Sequence, residues 1–105
     1  MKYILAIGIF SLSLSAYAAV DEAKAKEIIG KSACMNCHGL NNKIVGPGFN
    51  EIAQKYKGDK KALGFLVKKV RSGGSGVWGS IPMPPNNLTE ADAKRVVEWI
   101  LSGAK

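Results

Sequence analysis

The chain contains two cysteines and one histidine, and all three fall within five residues, Cys34-Met35-Asn36-Cys37-His38. This spacing constrains the fold more than any other feature. Two thiols three positions apart lie on one turn of backbone and can add to the two vinyl groups of a single haem. The adjacent imidazole then lies beneath the ring with a nitrogen toward the iron. Three other chemistries use related patterns. A dithiol–disulfide centre sits at a helix start beside a βαβ unit, and no strand pattern is present. A structural zinc site needs four ligands, and these residues supply three. A plain disulfide leaves His38 without a role. Covalent haem attachment is favoured over these three, because it uses all three side chains and asks for no further residue within the motif.

The length of 105 residues allows one domain. Lys2, an apolar stretch over 4–14 and the small-x-small triplet Ala16-Tyr17-Ala18 read as an export leader, residues 1–18, cleaved before Ala19. The apolar stretch is shorter than the ~20 residues a membrane-spanning helix needs. No second such stretch follows, so no stable membrane insertion is expected. The expected mature domain is 19–105, outside the cytoplasm. The chain has 15 Lys and Arg against 8 Asp and Glu, and loss of Lys2 leaves a net charge of +6. Export and the lack of any binding motif exclude nucleic acid as the reason for this charge. A domain this small buries a limited core and gains from a cofactor at its centre.

The periodicity of the mature chain predicts an all-α fold of about four short helices and long loops around one covalent haem. The first helix spans 21–31, with Ala25, Ile28 and Ile29 on one face. A second, short helix starts near Phe49 and stops at Gly58. Asp59 is placed as the N-cap of a third, which has an apolar stripe of Leu63, Leu66, Val67 and Val70. A fourth opens at Thr89 with Asp92 as its capping-box partner, and buries Ala93, Val96, Val97, Ile100 and Leu101. Residues 39–48 and 73–87 read as loops. The second is long for a domain of this size, as expected of a segment wrapped on something.

After leader removal two methionines remain. Met35 lies inside the attachment motif and cannot reach the opposite face of a haem. Met83 lies in Ile81-Pro82-Met83-Pro84-Pro85, where the prolines stiffen the backbone and deny it helix or sheet. A thioether presented this way suits an iron ligand, with Lys as the alternative. Imidazole plus thioether raises the potential. His38 is the sole histidine, so bis-His ligation within one chain is excluded. Gly46-Pro47-Gly48 is a turn whose carbonyls can accept the second ring N–H of His38. The Trp78 indole needs a partner if buried, and a haem propionate would serve.

These residues are similar to those of the bacterial cytochrome c-551/c-552 family, small class I cytochromes c. The resemblance rests on the attachment motif, the Gly46-Pro47 turn and above all Gly76-Val77-Trp78-Gly79-Ser80-Ile81-Pro82-Met83-Pro84-Pro85-Asn86, and it covers the whole mature chain. It implies a class I cytochrome c fold. Cys34 and Cys37 would bind haem covalently, with His38 and Met83 as axial ligands. Pro47 would supply the carbonyl to His38, Trp78 would donate to a propionate, Asn86 would hydrogen-bond near the Met83 sulfur, and Trp99 would pack across the first helix. It further implies a monomeric periplasmic carrier of single electrons, not an enzyme. Electrons would come from a donor such as a bc1-type complex and pass to a nitrite reductase, peroxidase or terminal oxidase. Two positions depart from the family: Lys69 stands where an Arg near the propionates is common, and Ile29 where the first helix often has an aromatic residue. The rival class is a five-coordinate enzyme or gas sensor of cytochrome c′ type, which carries its motif near the C-terminus and offers no Met. The basic surface is expected to meet acidic docking surfaces on redox partners, with Lys31 and Lys43 nearest the motif. If cofactor burial is part of folding, replacing both Cys34 and Cys37 by Ala yields a product that is disordered by circular dichroism or lost to proteolysis; a compact, helical, haem-free product is the opposite outcome.

Overall fold

The computed structural model describes residues 20–105 and the isolated Gly8; the expected leader, 1–18, otherwise lies outside the described residues. Four α-helices follow one another: α1 (Glu22–Lys31), α2 (Phe49–Lys55), α3 (Ala62–Ser72) and α4 (Glu90–Leu101). A 3₁₀ turn, Cys34–Asn36, follows α1. No strand forms among the described residues, only isolated antiparallel pairings of His38 with Lys43 and Gly74 with Met83. The all-α expectation is met.

Local chemistry accounts for the helix ends. The Asp21 carboxylate accepts from Lys24 N at 3.0 Å and starts α1. Ser32 closes that helix, its hydroxyl donating to Ile28 O at 2.8 Å. Gly48 has no side chain to cap α2, and Glu51 reaches back instead to accept from Gly48 N at 3.1 Å. Two expected caps differ. Asp59 does not cap α3, which begins only at Ala62. Its carboxylate accepts from Lys61 N at 2.8 Å, closing a turn ahead of the helix, as a short Asp side chain does when it competes for nearby amides. At α4, Thr89 Oγ1 accepts from Asp92 N at 3.1 Å, but the Asp92 carboxylate pairs with Arg95 instead of completing the box.

Helix α4 is the centre of the molecule, and α1, α2 and α3 all pack on it. One cluster joins Ala25, Ile28 and Ile29 of α1 to Phe49 and Ile52 of α2 and to Val96, Trp99 and Ile100 of α4. A smaller one joins Val67 to Ala93 and Val97. Ile29 is buried in the same cluster as Trp99, so an aliphatic residue serves where an aromatic one was the family expectation. Of the α3 stripe only Val67 is fully buried. Leu66 and Val70 are half-buried: they pack against the α4 side of this cluster and also line a cavity.

Trp99 is 3% exposed, meets Phe49 edge-on at 5.9 Å, and donates its indole N–H to Lys105 O at 3.2 Å. Truncation here leaves the largest void available in the core. Trp99→Ala is expected to cost about 3–5 kcal/mol. Trp99→Phe keeps most of the volume and is expected to lose only about 1–2 kcal/mol with the hydrogen bond and the remaining atoms. Denaturant unfolding followed by circular dichroism checks both.

Candidate cofactor site

The attachment motif is held by its own backbone. Cys37 N and His38 N both donate to Cys34 O, at 3.2 and 3.0 Å, forming one tight turn. Cys37 O then accepts from Val45 N and Gly46 N, at 3.0 and 2.8 Å, which folds the 39–48 loop back beneath the motif. Phe49 N and Asn50 N close the loop by donating to Gly39 O and Leu40 O.

That fold-back brings Pro47 O to 2.7 Å from His38 Nδ1. A carbonyl can only accept, so Nδ1 carries the proton and Nε2 keeps its lone pair. One face of the ring stacks on Phe49, with centroids 5.4 Å apart and planes 23° from parallel. Gly46 passes so close that a Cβ there would lie 2.8 Å from His38 Cε1. The imidazole is therefore fixed by a hydrogen bond, a stacked ring and a bare stretch of backbone. Phe49 in turn rests on Trp99, which links the ring to the main core.

Met83 is positioned by a second loop. Gly74 N donates to Met83 O at 3.0 Å, and Met83 N donates to Gly74 O at 2.8 Å. Gly73 has φ 71°, and a Cβ on it would collide with Met83 O and Pro85 N, so this close approach requires glycine. Gly76 N donates to Gly79 O at 2.8 Å, closing the turn that presents Val77 and Trp78. Asn86 fastens the far end: its backbone N and its Nδ2 donate to Val70 O at 3.0 and 3.1 Å.

The two loops, with α3 and the core side of α4, enclose a cavity of about 300 Å³. Cys34, Cys37, His38, Pro47, Trp78 and Met83 all line it. Burial pushes the Cys34 thiol above its ordinary pKa. Asn86 is outside the lining, and its amide is engaged with Val70 O and, at 3.4 Å, Pro84 O. Met35 is 44% exposed and also outside it. Trp78 is 41% and Ile81 66% exposed, though both line the cavity. Apolar side chains left open around a cavity mark the place of an apolar body. Among the described residues no three His, Cys, Asp or Glu side chains converge as a metal-binding group, which disfavours a zinc tetrad. Two thiols, an imidazole with a free nitrogen, a thioether and mostly apolar walls, with Lys43 and Lys69 among the polar exceptions, fit a flat macrocycle with a metal at its centre.

Several contributors were not singled out from sequence. Phe49, in the sequence only the start of the second helix, stacks on His38. Gly73, the first residue of the 73–87 loop, admits the Met83 backbone through its missing side chain, and Gly74 pairs with Met83 through its own backbone. Lys55 lies 5.6 Å from the Trp78 ring and 5.8 Å from Tyr56, a placement that its helix position alone does not reveal.

The cytochrome c family model matches residues 22–104, and the chain belongs to this family: it is a small c-type cytochrome that binds haem covalently and carries electrons. Within the family it is similar to cytochrome c-552 of Hydrogenobacter thermophilus, with 45% identity over 97% of this chain and 98% of that protein. It is also similar to cytochrome c-551 of Azotobacter vinelandii, 44% identical over 73% of this chain and 94% of that protein. Among solved structures, cytochrome c552 of Nitrosomonas europaea superposes with a TM-score of 0.70 at 44% identity, over 74% of this chain and 98% of that one. The expected class I fold is thereby shown.

Because a methyl group at position 46 has no space beside the imidazole, Gly46→Ala is expected to displace the His38 ring and lengthen its bond to Pro47 O. The expected cost is about 1–3 kcal/mol, with altered His38 ring resonances in the nuclear magnetic resonance spectrum. Unchanged ring resonances are the opposite result.

Proposed function

We propose that the chain is an exported, periplasmic, monomeric carrier of single electrons whose haem c is bound through Cys34 and Cys37, with His38 and Met83 as axial ligands. The observation that carries this reading is the fixed tautomer of His38, which leaves Nε2 for a cavity that Met83 and both thiols also line. When bound, haem supplies a one-electron iron couple. The chain's residues set the conditions for it. The Pro47 carbonyl holds the Nδ1 proton and raises the basicity of the imidazole. The Met83 loop, tied to Gly74 at one end and Val70 at the other, keeps the thioether in place so that little has to move when the charge changes. Asn86 acts on Met83 through this loop. The Trp78 indole and the Lys69 ammonium, both at the cavity wall, are suited to the propionates; Lys69 offers a point charge where Arg would offer a planar fork.

With His38 and Met83 both holding the iron, no position would be left for substrate, which favours a carrier over a catalyst or gas sensor. The family relatives, named cytochromes c-551 and c-552, support the same class. Export rests on the leader signals, and the match to the Hydrogenobacter protein covers 97% of this chain. No helix among the described residues is long and apolar enough to cross a membrane. The partners fitting this role are a bc1-type donor and a nitrite reductase, peroxidase or oxidase acceptor, meeting the basic carrier through acidic surfaces.

Met83→Ala tests the reading. It is expected to lower the potential by on the order of 0.1 V and to admit carbon monoxide to the reduced protein, whereas Met35→Ala does neither. Redox titration and absorption spectra with and without carbon monoxide separate the cases. Identical behaviour of the two variants would rule out Met83 as ligand, and carbon monoxide binding by the unmodified protein would favour the five-coordinate class.

A further inference from the structure

The charges of the chain are divided unevenly between the two flanks of α4. Helices α1 and α3 both pack on α4, without an α1–α3 contact. On the α1 flank, Lys24 and Lys31 pair with Glu27, and Lys26 with Glu22. On α4, Lys94 pairs with Glu98 and Arg95 with Asp92. The α2–α3 side differs. Lys55, Lys57, Lys60, Lys61, Lys68, Lys69 and Arg71 form no ion pair, and the one acid in this stretch, Asp59, is turned onto the Lys61 backbone. The stretch 55–71 therefore has a net charge of +6, equal to that of residues 20–105 as a whole. Everything else sums to zero.

This placement revises the expectation for Lys31. Its ammonium lies 2.8 Å from Glu27 Oε1, so it contributes little field toward a distant partner. The unpaired charges adjoin the cavity instead. Lys69 lines it and lies 5.6 Å from the Phe65 ring, and Lys55 is held over Trp78 and Tyr56. Rings beneath the two ammonium groups restrict them at the cavity edge, while the other lysines of the stretch are exposed.

We propose that the α2–α3 face, residues 55–71, is the docking surface for an acidic redox-protein partner, and that its exposed charges, Lys55, Lys57, Lys60, Lys61 and Lys68, orient the carrier so that the cavity edge beside Lys55 arrives first. The proposal rests on the electron-carrier reading above and adds the face on which the partner sits. A molecule whose net charge lies wholly on one side has a large dipole, and a partner's negative field turns that side toward it before contact. The same exposed charges give weak affinity and strong salt sensitivity, as a carrier that must leave quickly needs. A protein partner is favoured over an anionic membrane. Interfacial helices bury an apolar face in lipid, but α3 directs its apolar side to α4 and the cavity, leaving only Phe65 as a large exposed apolar residue on this stretch.

The test uses ferric holoprotein and reduced flavodoxin, an acidic redox protein, as the probe. One electron passes from the anionic flavin hydroquinone to the ferric protein, leaving the neutral semiquinone, with no bond made or broken. Two double reversals of equal net charge are compared: Lys57→Glu with Lys60→Glu on the proposed face, and Lys31→Glu with Lys94→Glu on the paired flank. At low ionic strength the first is expected to slow the bimolecular rate by roughly tenfold or more and flatten its salt dependence above about 0.1 M; the second slows it less than threefold. Equal slowing by both pairs overturns the proposal, since net charge alone would then matter. Binding of the holoprotein to vesicles of phosphatidylcholine and phosphatidylglycerol that is abolished by Lys57→Glu with Lys60→Glu, with flavodoxin rates unchanged, also overturns it and assigns the face to lipid. Reduction by a small neutral reagent is expected to be equal in all variants. A holoprotein that no reagent can cycle between oxidation states would instead contradict the carrier reading itself.

Discussion

The hydrogen bond between His38 Nδ1 and the Pro47 carbonyl, 2.7 Å long, is the constraint on which the other features of the site depend. In a neutral histidine either ring nitrogen can carry the proton until a partner fixes it on one of them. Here the loop 39–48 does so, by returning a carbonyl to one nitrogen while Phe49 covers a ring face. The loop can return so tightly only because Gly46 has no side chain and because Cys37 O accepts two of its amides. Phe49 then passes the constraint to Trp99 and so to α1 and α4. The imidazole is thus connected to the main core by packing, and disturbance of the core reaches it through two aromatic contacts.

The opposite wall is built on a different principle. Residues 73–86 contain no helix, and order comes from a pair of backbone hydrogen bonds at Gly74, a second anchor at Val70 O and the stiffness of three prolines. A loop of this kind has few conformations to lose and few to visit. The arrangement gives the sulfur a fixed position without burying it in a hydrophobic cluster, which explains why a large apolar area at Val77, Trp78 and Ile81 stays open around the cavity.

Exposed ion pairs of the kind on α1 and α4 add little stability. Their effect on the outer field is larger: by pairing within their own helices they silence one flank and leave the whole net charge on the other. Helical spacing of three and four residues is enough to produce this, since Glu22, Lys24, Lys26, Glu27 and Lys31 are all within reach of opposite charges on the same helix.

Much of this protein was legible in the chain. The attachment residues are adjacent in sequence, so Cys34, Cys37 and His38 needed no tertiary information. The helix faces followed from periodicity, and Pro-Met-Pro stood out because prolines exclude the usual core role of a methionine. The start of α3 and the second half of the α4 capping box are not legible in the chain, because Asp59 and Asp92 each have a competing partner that local sequence does not rank. The sequence by itself determined the class of cofactor and the helical architecture, since both arise from contacts between near neighbours in the chain. Only the tertiary structure decided which ring nitrogen of His38 is free, that Asn86 is engaged at Val70 instead of lying in the cavity lining, that Gly73 admits the Met83 backbone, and which lysines remain unpaired, because each depends on groups far apart in sequence being brought within hydrogen-bonding or Coulombic range.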